Sequence, residues 1–70
     1  MNINYIKRYL QHRLGDRIIV IYYGSRNRRE RYEGILYRLY NNIFVVKLAS
    51  GEIKSFVYID IITKTIQIYI

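Results

Sequence analysis

Residues 18–37 run Ile18-Ile19-Val20-Ile21-Tyr22-Tyr23, then Gly24-Ser25-Arg26-Asn27-Arg28-Arg29-Glu30-Arg31, then Tyr32-Glu33-Gly34-Ile35-Leu36-Tyr37. The first and last thirds are rich in β-branched and aromatic residues, the types that suit a pleated, half-buried surface. The middle third holds four arginines in eight residues and no apolar side chain. The pattern predicts two strands joined by a guanidinium-studded connection, with the rest of the chain as the scaffold that holds it.

Working back toward the N-terminus, the spacing predicts an amphipathic helix over 4–14. Ile6, Leu10 and Leu14 recur at i, i+4 and i+8, flanked by Ile3 and Tyr9, while Lys7, Arg8, Gln11 and Arg13 take the other side. Asn2 or Asn4 is placed to cap its start, and Gly15 to end it in a left-handed conformation. A helix this short is not stable alone and must dock.

Working forward, strands are expected at 17–23, 31–40, 43–49, 52–58 and 63–70. Residues 31–40 alternate Glu33, Ile35, Tyr37 and Leu39 against Tyr32, Gly34, Leu36 and Arg38, and Gly34 marks a bend or a close backbone approach. Asn41-Asn42 and Ser50-Gly51 read as turns. Ile59-Asp60-Ile61-Ile62 reads as a brief 3₁₀ turn, with the Asp60 carboxylate as its cap. A helix over 1–15 followed by a five-stranded unit over 16–70, one domain overall, predicts a mainly β fold. Five short, bent strands close most economically into a small SH3-like or Sm-like barrel, which hides its edges.

Length and composition narrow the function. Seventy residues make a small core, and such domains are commonly stapled by disulfides or a metal. This chain has no cysteine and one histidine, His12, so structural zinc and any cofactor are not expected. No run approaches the roughly 18 apolar residues of a membrane span, and the cytoplasm is the expected compartment. Catalysis is not expected either. His12 is the lone imidazole base, no nucleophile-elbow or phosphate-loop pattern exists, and the five acids are scattered. No small-molecule substrate is expected for so small a domain.

The net charge of +7 is concentrated. Residues 1–15 contribute +3 through Lys7, Arg8 and Arg13, and residues 24–31 another +3 through four arginines less Glu30. Guanidinium groups pair bidentately with phosphate, so Arg26, Arg28, Arg29 and Arg31 form the candidate contact site for a polyanion. Tyr22, Tyr23 and Tyr32 flank them and are the candidate stacking faces for bases, with Lys7 and Arg8 as a possible extension along the helix. The bland alternatives are a solvated loop that keeps the protein soluble and tyrosines that fill the sheet.

Several segments resemble the Veg family of small Gram-positive bacterial proteins. They are Ile6-Lys7-Arg8, Leu14-Gly15-Asp16-Arg17, Gly24 with its arginines, and Gly34-Ile35-Leu36. Tyr40-Asn41-Asn42-Ile43-Phe44-Val45-Val46 and Ser55-Phe56-Val57-Tyr58-Ile59-Asp60-Ile61-Ile62-Thr63 complete the match in the same order along nearly the whole chain. The resemblance implies an SH3-like barrel and a non-enzymatic regulatory role. It associates the chain with stimulated expression of biofilm matrix genes by opposing a transcriptional repressor. The expected partner is therefore a transcriptional regulator protein or a nucleic acid. An Sm-like RNA- or DNA-binding module is the alternative reading, and self-association to a homo-oligomer goes with it.

Overall fold

The computed structural model describes residues 2–24 and 27–70. Its elements run in the order α1 (Ile3–Gln11), β1 (Arg17–Tyr23), β2 (Arg29–Leu39), β3 (Ile43–Leu48), β4 (Ile53–Val57), α2 (Ile59–Ile62) and β5 (Ile66–Tyr69). All five strands lie in one antiparallel sheet of order β4-β3-β2-β1-β5.

Helix α1 starts where the side chain of Asn2 accepts the Tyr5 N–H at 2.8 Å, satisfying one orphan donor of the first turn. It buries Ile6 and Leu10 but stops at Gln11, three residues short of the predicted end. The stop is imposed from β2. Gly15, at φ +89°, donates its N–H to the Leu36 carbonyl, and Leu36 donates back to the Asp16 carbonyl, at 2.8 and 2.9 Å. Residues 15–16 are already tied to that strand, so the helix must unwind before them. Leu14 is consequently left 46% exposed instead of completing the apolar stripe.

Strand β1 buries Ile18 and Val20 on one face, the inner face, and leaves Ile19 and Ile21 half-buried on the outer face. Both helices pack on the inner side. Ile6 and Leu10 of α1 join Ile18, Val20, Leu36, Phe44, Val46, Tyr58 and Ile66 in one core, and Ile61 and Ile62 of α2 pack against it. Phe44 lies at its centre, 5.5 Å from the Phe56 ring and 5.7 Å from the Tyr58 ring, both near-parallel. The hydroxyl of Tyr58, a fully buried residue, donates to the Tyr40 carbonyl at 2.8 Å.

Strand β2 departs from the simple alternation expected of it. Leu36 pairs with Val46, yet Arg38 pairs with Val45, so Tyr37 is an extra residue in a β-bulge. The bulge lets Tyr37 and Arg38 both face outward and returns Leu39 to the core side, opposite Phe44. Unbroken alternation from Glu33 places Leu39 outside and Arg38 inside. An apolar core has no partner for a guanidinium, so the bulge resolves the conflict.

The turns also differ in detail. Tyr40 donates to the Ile43 carbonyl across the β2–β3 connection, and neither Asn41 nor Asn42 adopts positive φ. Residues Ile59–Ile62 form one α-helical turn, not 3₁₀, and no side chain caps it. Asp60 takes part through its backbone carbonyl, which accepts from the Thr63 hydroxyl. Lys64, at φ +63°, then turns the chain into β5, which is four residues long instead of the eight expected.

The sheet is not a closed barrel. β5 pairs with β1, from Ile19↔Tyr69 to Tyr22↔Ile66, and β4 pairs with β3 alone. The strands at the two ends of the sheet share no ladder among the described residues. The single turn of α2 links β4 to β5 and contacts both of them.

Candidate functional site

The sequence predicts the arginine-rich stretch as a loop over 24–31. The structure extends β2 back to Arg29, opposite Tyr23, and shortens the connection to 24–28. It is closed by the Gly24 N–H donating to the Arg28 carbonyl at 2.8 Å, with Asn27 at φ +61°. Asn accepts this left-handed conformation more readily than most residues. Arg28 is exposed beside it, and Arg26 lies outside the described residues.

Once Arg29–Arg31 is strand, its side chains alternate between faces. The register sets Arg29 against Tyr23, Arg31 against Ile21, Glu33 against Ile19 and Ile35 against Arg17. All of these share the outer face. Glu30 against Tyr22 and Tyr32 against Val20 share the inner face. The candidate residues therefore do not form one surface. Arg29, Arg31 and Tyr23 are brought together outside, while Tyr22 and Tyr32 stand on the opposite side of the sheet.

On the inner side, Tyr22, Glu30, Tyr32, Lys54, Phe56 and Asp60 line a shallow cleft of about 310 Å³. The Tyr32 hydroxyl donates to Glu30 at 2.6 Å, and the Lys54 ammonium lies 5.5 Å from the Tyr32 ring centre. The bond to Glu30 keeps the Tyr32 phenol protonated above its ordinary range, because losing the proton would set two anions side by side. Tyr32 is thus occupied structurally, by Glu30 on one side and the Phe56 ring at 5.7 Å on another.

Lys7 and Arg8 are remote from the arginines around the β1–β2 connection. The Lys7 ammonium donates to the Asn41 side chain at 3.4 Å, at the β2–β3 turn. Arg29 is at the other end of β2, an eleven-residue strand, and at about 3.3 Å per residue roughly 30 Å of chain separates them. Arg8 is exposed in the last turn of α1.

The outer face, by contrast, gathers residues that the linear reading passed over. Arg17 on β1, Arg38 on β2 and Lys47 on β3 join Arg29 and Arg31 there. Among the strand residues of this face the one carboxylate is Glu33, bridged by Arg17 at 3.5 Å and Arg31 at 3.4 Å. Five cations less one carboxylate leave a net +4. The bridging pairs are exposed and contribute little stability, so their effect is to orient the two guanidinium groups.

Aromatic rings stand among these charges. Tyr37 has the Arg38 guanidinium 5.2 Å and the Lys47 ammonium 5.5 Å from its ring centre. Tyr23 and Tyr69 both donate their hydroxyls to Gln67 Oε1, at 3.0 and 2.9 Å. Tyr37 is 43% and Tyr69 54% exposed, and among the described residues no element packs over the face. The signal that could have found it was in the spacing: Arg29, Arg31, Glu33, Ile35 and Tyr37 are every second residue of one strand.

Among the described residues no three His, Cys, Asp or Glu side chains cluster, and no helix is long and apolar enough to cross a membrane. A family model described as biofilm formation stimulator VEG matches residues 1–69, and the chain belongs to this family. A search of curated proteins returns no match.

Proposed function

We propose that this Veg-family protein is a non-enzymatic regulator in biofilm formation that modulates gene expression by binding an anionic macromolecule on the outer face of its sheet. Family membership supports the biofilm role. The observation that carries the binding surface is the net +4 gathered on an uncovered sheet face, where the fold could equally have placed those side chains apart. A focused patch of one sign raises the local concentration of an oppositely charged partner and speeds its encounter.

The mechanism is occupancy. The sheet holds Arg29 and Arg31 two residues apart on β2 and Arg38 seven residues further along it, so a partner meets an array fixed by the strand. A transcriptional regulator with an acidic surface, or a nucleic acid on which such a regulator acts, satisfies the charge requirement in the cytoplasm.

The test is complementation. In cells lacking the protein, a matrix-gene reporter should be restored by the wild-type chain and not by the triple variant Arg29→Glu, Arg31→Glu and Arg38→Glu. The variant should keep the wild-type circular dichroism, since all three side chains are exposed. Full restoration by a folded variant would sink the assignment of this face.

A further inference from the structure

The cations of the outer face do not stand alone, and the rings among them narrow the class of anion. We propose that this face binds single-stranded nucleic acid, with bases stacked on Tyr37 and Tyr69 and phosphates held by Arg29, Arg31 and Arg38. The inference rests on the proposed role of the face as the contact surface.

Charge alone would suit an acidic peptide equally well. An acidic peptide, however, gives exposed aromatic rings nothing specific to do. Single-stranded nucleic acid presents flat bases and regularly spaced phosphates together, and proteins that bind it without strong sequence preference combine a basic track with aromatic stacking platforms. Here the two kinds of group are interleaved. Tyr37 carries two cations over its ring, each within 5.5 Å of its centre, so a base that stacks there displaces one of them toward its own phosphate. Tyr69 is held through its hydroxyl by Gln67, which fixes the ring before any base arrives. Pre-organisation of this kind reduces the ordering cost of binding.

Geometry argues against the other occupants. A duplex keeps its bases stacked inside and offers only phosphates to a sheet face, leaving the rings unused. A second copy of this chain would set one +4 face against another, and like charges opposed across an interface are costly. Ile19, Ile21 and Ile35 lie between the charged positions and give the sugar and base edges an apolar floor.

The experiment is fluorescence anisotropy with the full chain at low and at physiological salt. Probes are labelled oligouridine and oligodeoxythymidine of about 12 nucleotides, within the site sizes of small single-strand-binding domains, and a duplex of equal length. Labelled polyglutamate stands in for an acidic protein. The inference expects single strands to bind about tenfold or more tighter than the duplex. It expects Tyr37→Ala to lose about 5- to 150-fold of single-strand affinity, the range for one stacked base. Tyr37→Phe, which keeps the ring, should retain it. Equal binding of single strand and duplex, indifferent to Tyr37→Ala, overturns the stacking inference and leaves the anionic surface standing. Binding to polyglutamate alone overturns it in favour of a protein partner. Self-association that occludes the face, seen by sedimentation, overturns it in favour of a second copy. Failure to bind any polyanion at low salt overturns both this inference and the surface on which it rests.

Discussion

A Cβ on Gly34 would lie 2.3 Å from the carbonyl oxygen of Lys47, so the β2 and β3 backbones meet at a distance only glycine permits. The obstructing atom is backbone and cannot swing aside. Gly34→Ala therefore forces the two strands apart, close to the Ile35↔Lys47 pair that places Lys47 on the outer face. Overpacking of this kind costs about 1–3 kcal/mol, a large share of what a domain this small possesses. Urea denaturation should show a lowered midpoint, and a wild-type midpoint would mean that the strands separate freely.

Helix docking depends on two residues and not on the third that shares their spacing. Leu10 is fully buried in the core, so Leu10→Ala should cost about 2–5 kcal/mol. Leu14 is 46% exposed beyond the end of the helix, and Leu14→Ala should shift stability by no more than about 0.5 kcal/mol. Comparable losses in the two variants would show that α1 runs on to residue 14 after all.

The helix start is separable from its docking. Asn2→Ala leaves the Tyr5 N–H without its side-chain acceptor and should cost about 0.5–2 kcal/mol, whereas Asn2→Asp or Asn2→Ser should retain most of the cap. Thermal unfolding monitored by far-ultraviolet circular dichroism would rank the variants, and an Ala variant as stable as the Asp variant would remove the cap from the account.

Two phenols should titrate late. The hydrogen bond to Glu30 raises Tyr32 above the ordinary value of 10.0, and burial raises Tyr58. A raised folded value means that the folded chain holds protons the unfolded chain has released. The associated stability is fully present below about pH 10 and is lost as pH rises through the folded values. Tyrosinate absorbance should rise at higher pH in the folded protein than in urea, and Tyr32→Phe should remove part of the late component. Superposed titration curves would contradict this.

Local features of the fold were readable from residue type because their causes are local. Asn2 caps the turn that begins beside it, Gly15 takes positive φ, Gly34 meets a backbone, and Ile6 and Leu10 sit one turn apart. The family resemblance, spread over nearly the whole chain, was readable too. Closure was not, because the pairing of β5 with β1 joins strands distant in sequence, Ile19 with Tyr69 for one, and nothing within either strand specifies its neighbour. The arginines illustrate the limit for the site. Their density was plain, but which face each one serves depends on where β2 begins, and a start at Arg29 instead of Arg31 turns a loop into an alternating strand. Arg17, Arg38 and Lys47 were invisible as partners because only the ladder brings their strands side by side.

The bulge at Tyr37 gives β2 two reading frames. Before it, every odd-numbered residue from Arg29 faces outward. After it, the parity inverts, so that Arg38 faces outward and Leu39 inward. A one-residue deletion at Tyr37 would remove the bulge together with the ring, and Leu36, Arg38 and Leu39 would then alternate regularly opposite Val46, Val45 and Phe44 with no change of register. Substitution at Tyr37 and deletion of it are thus different perturbations, the first confined to the side chain and the second straightening the local bend and twist that a bulge gives its strand.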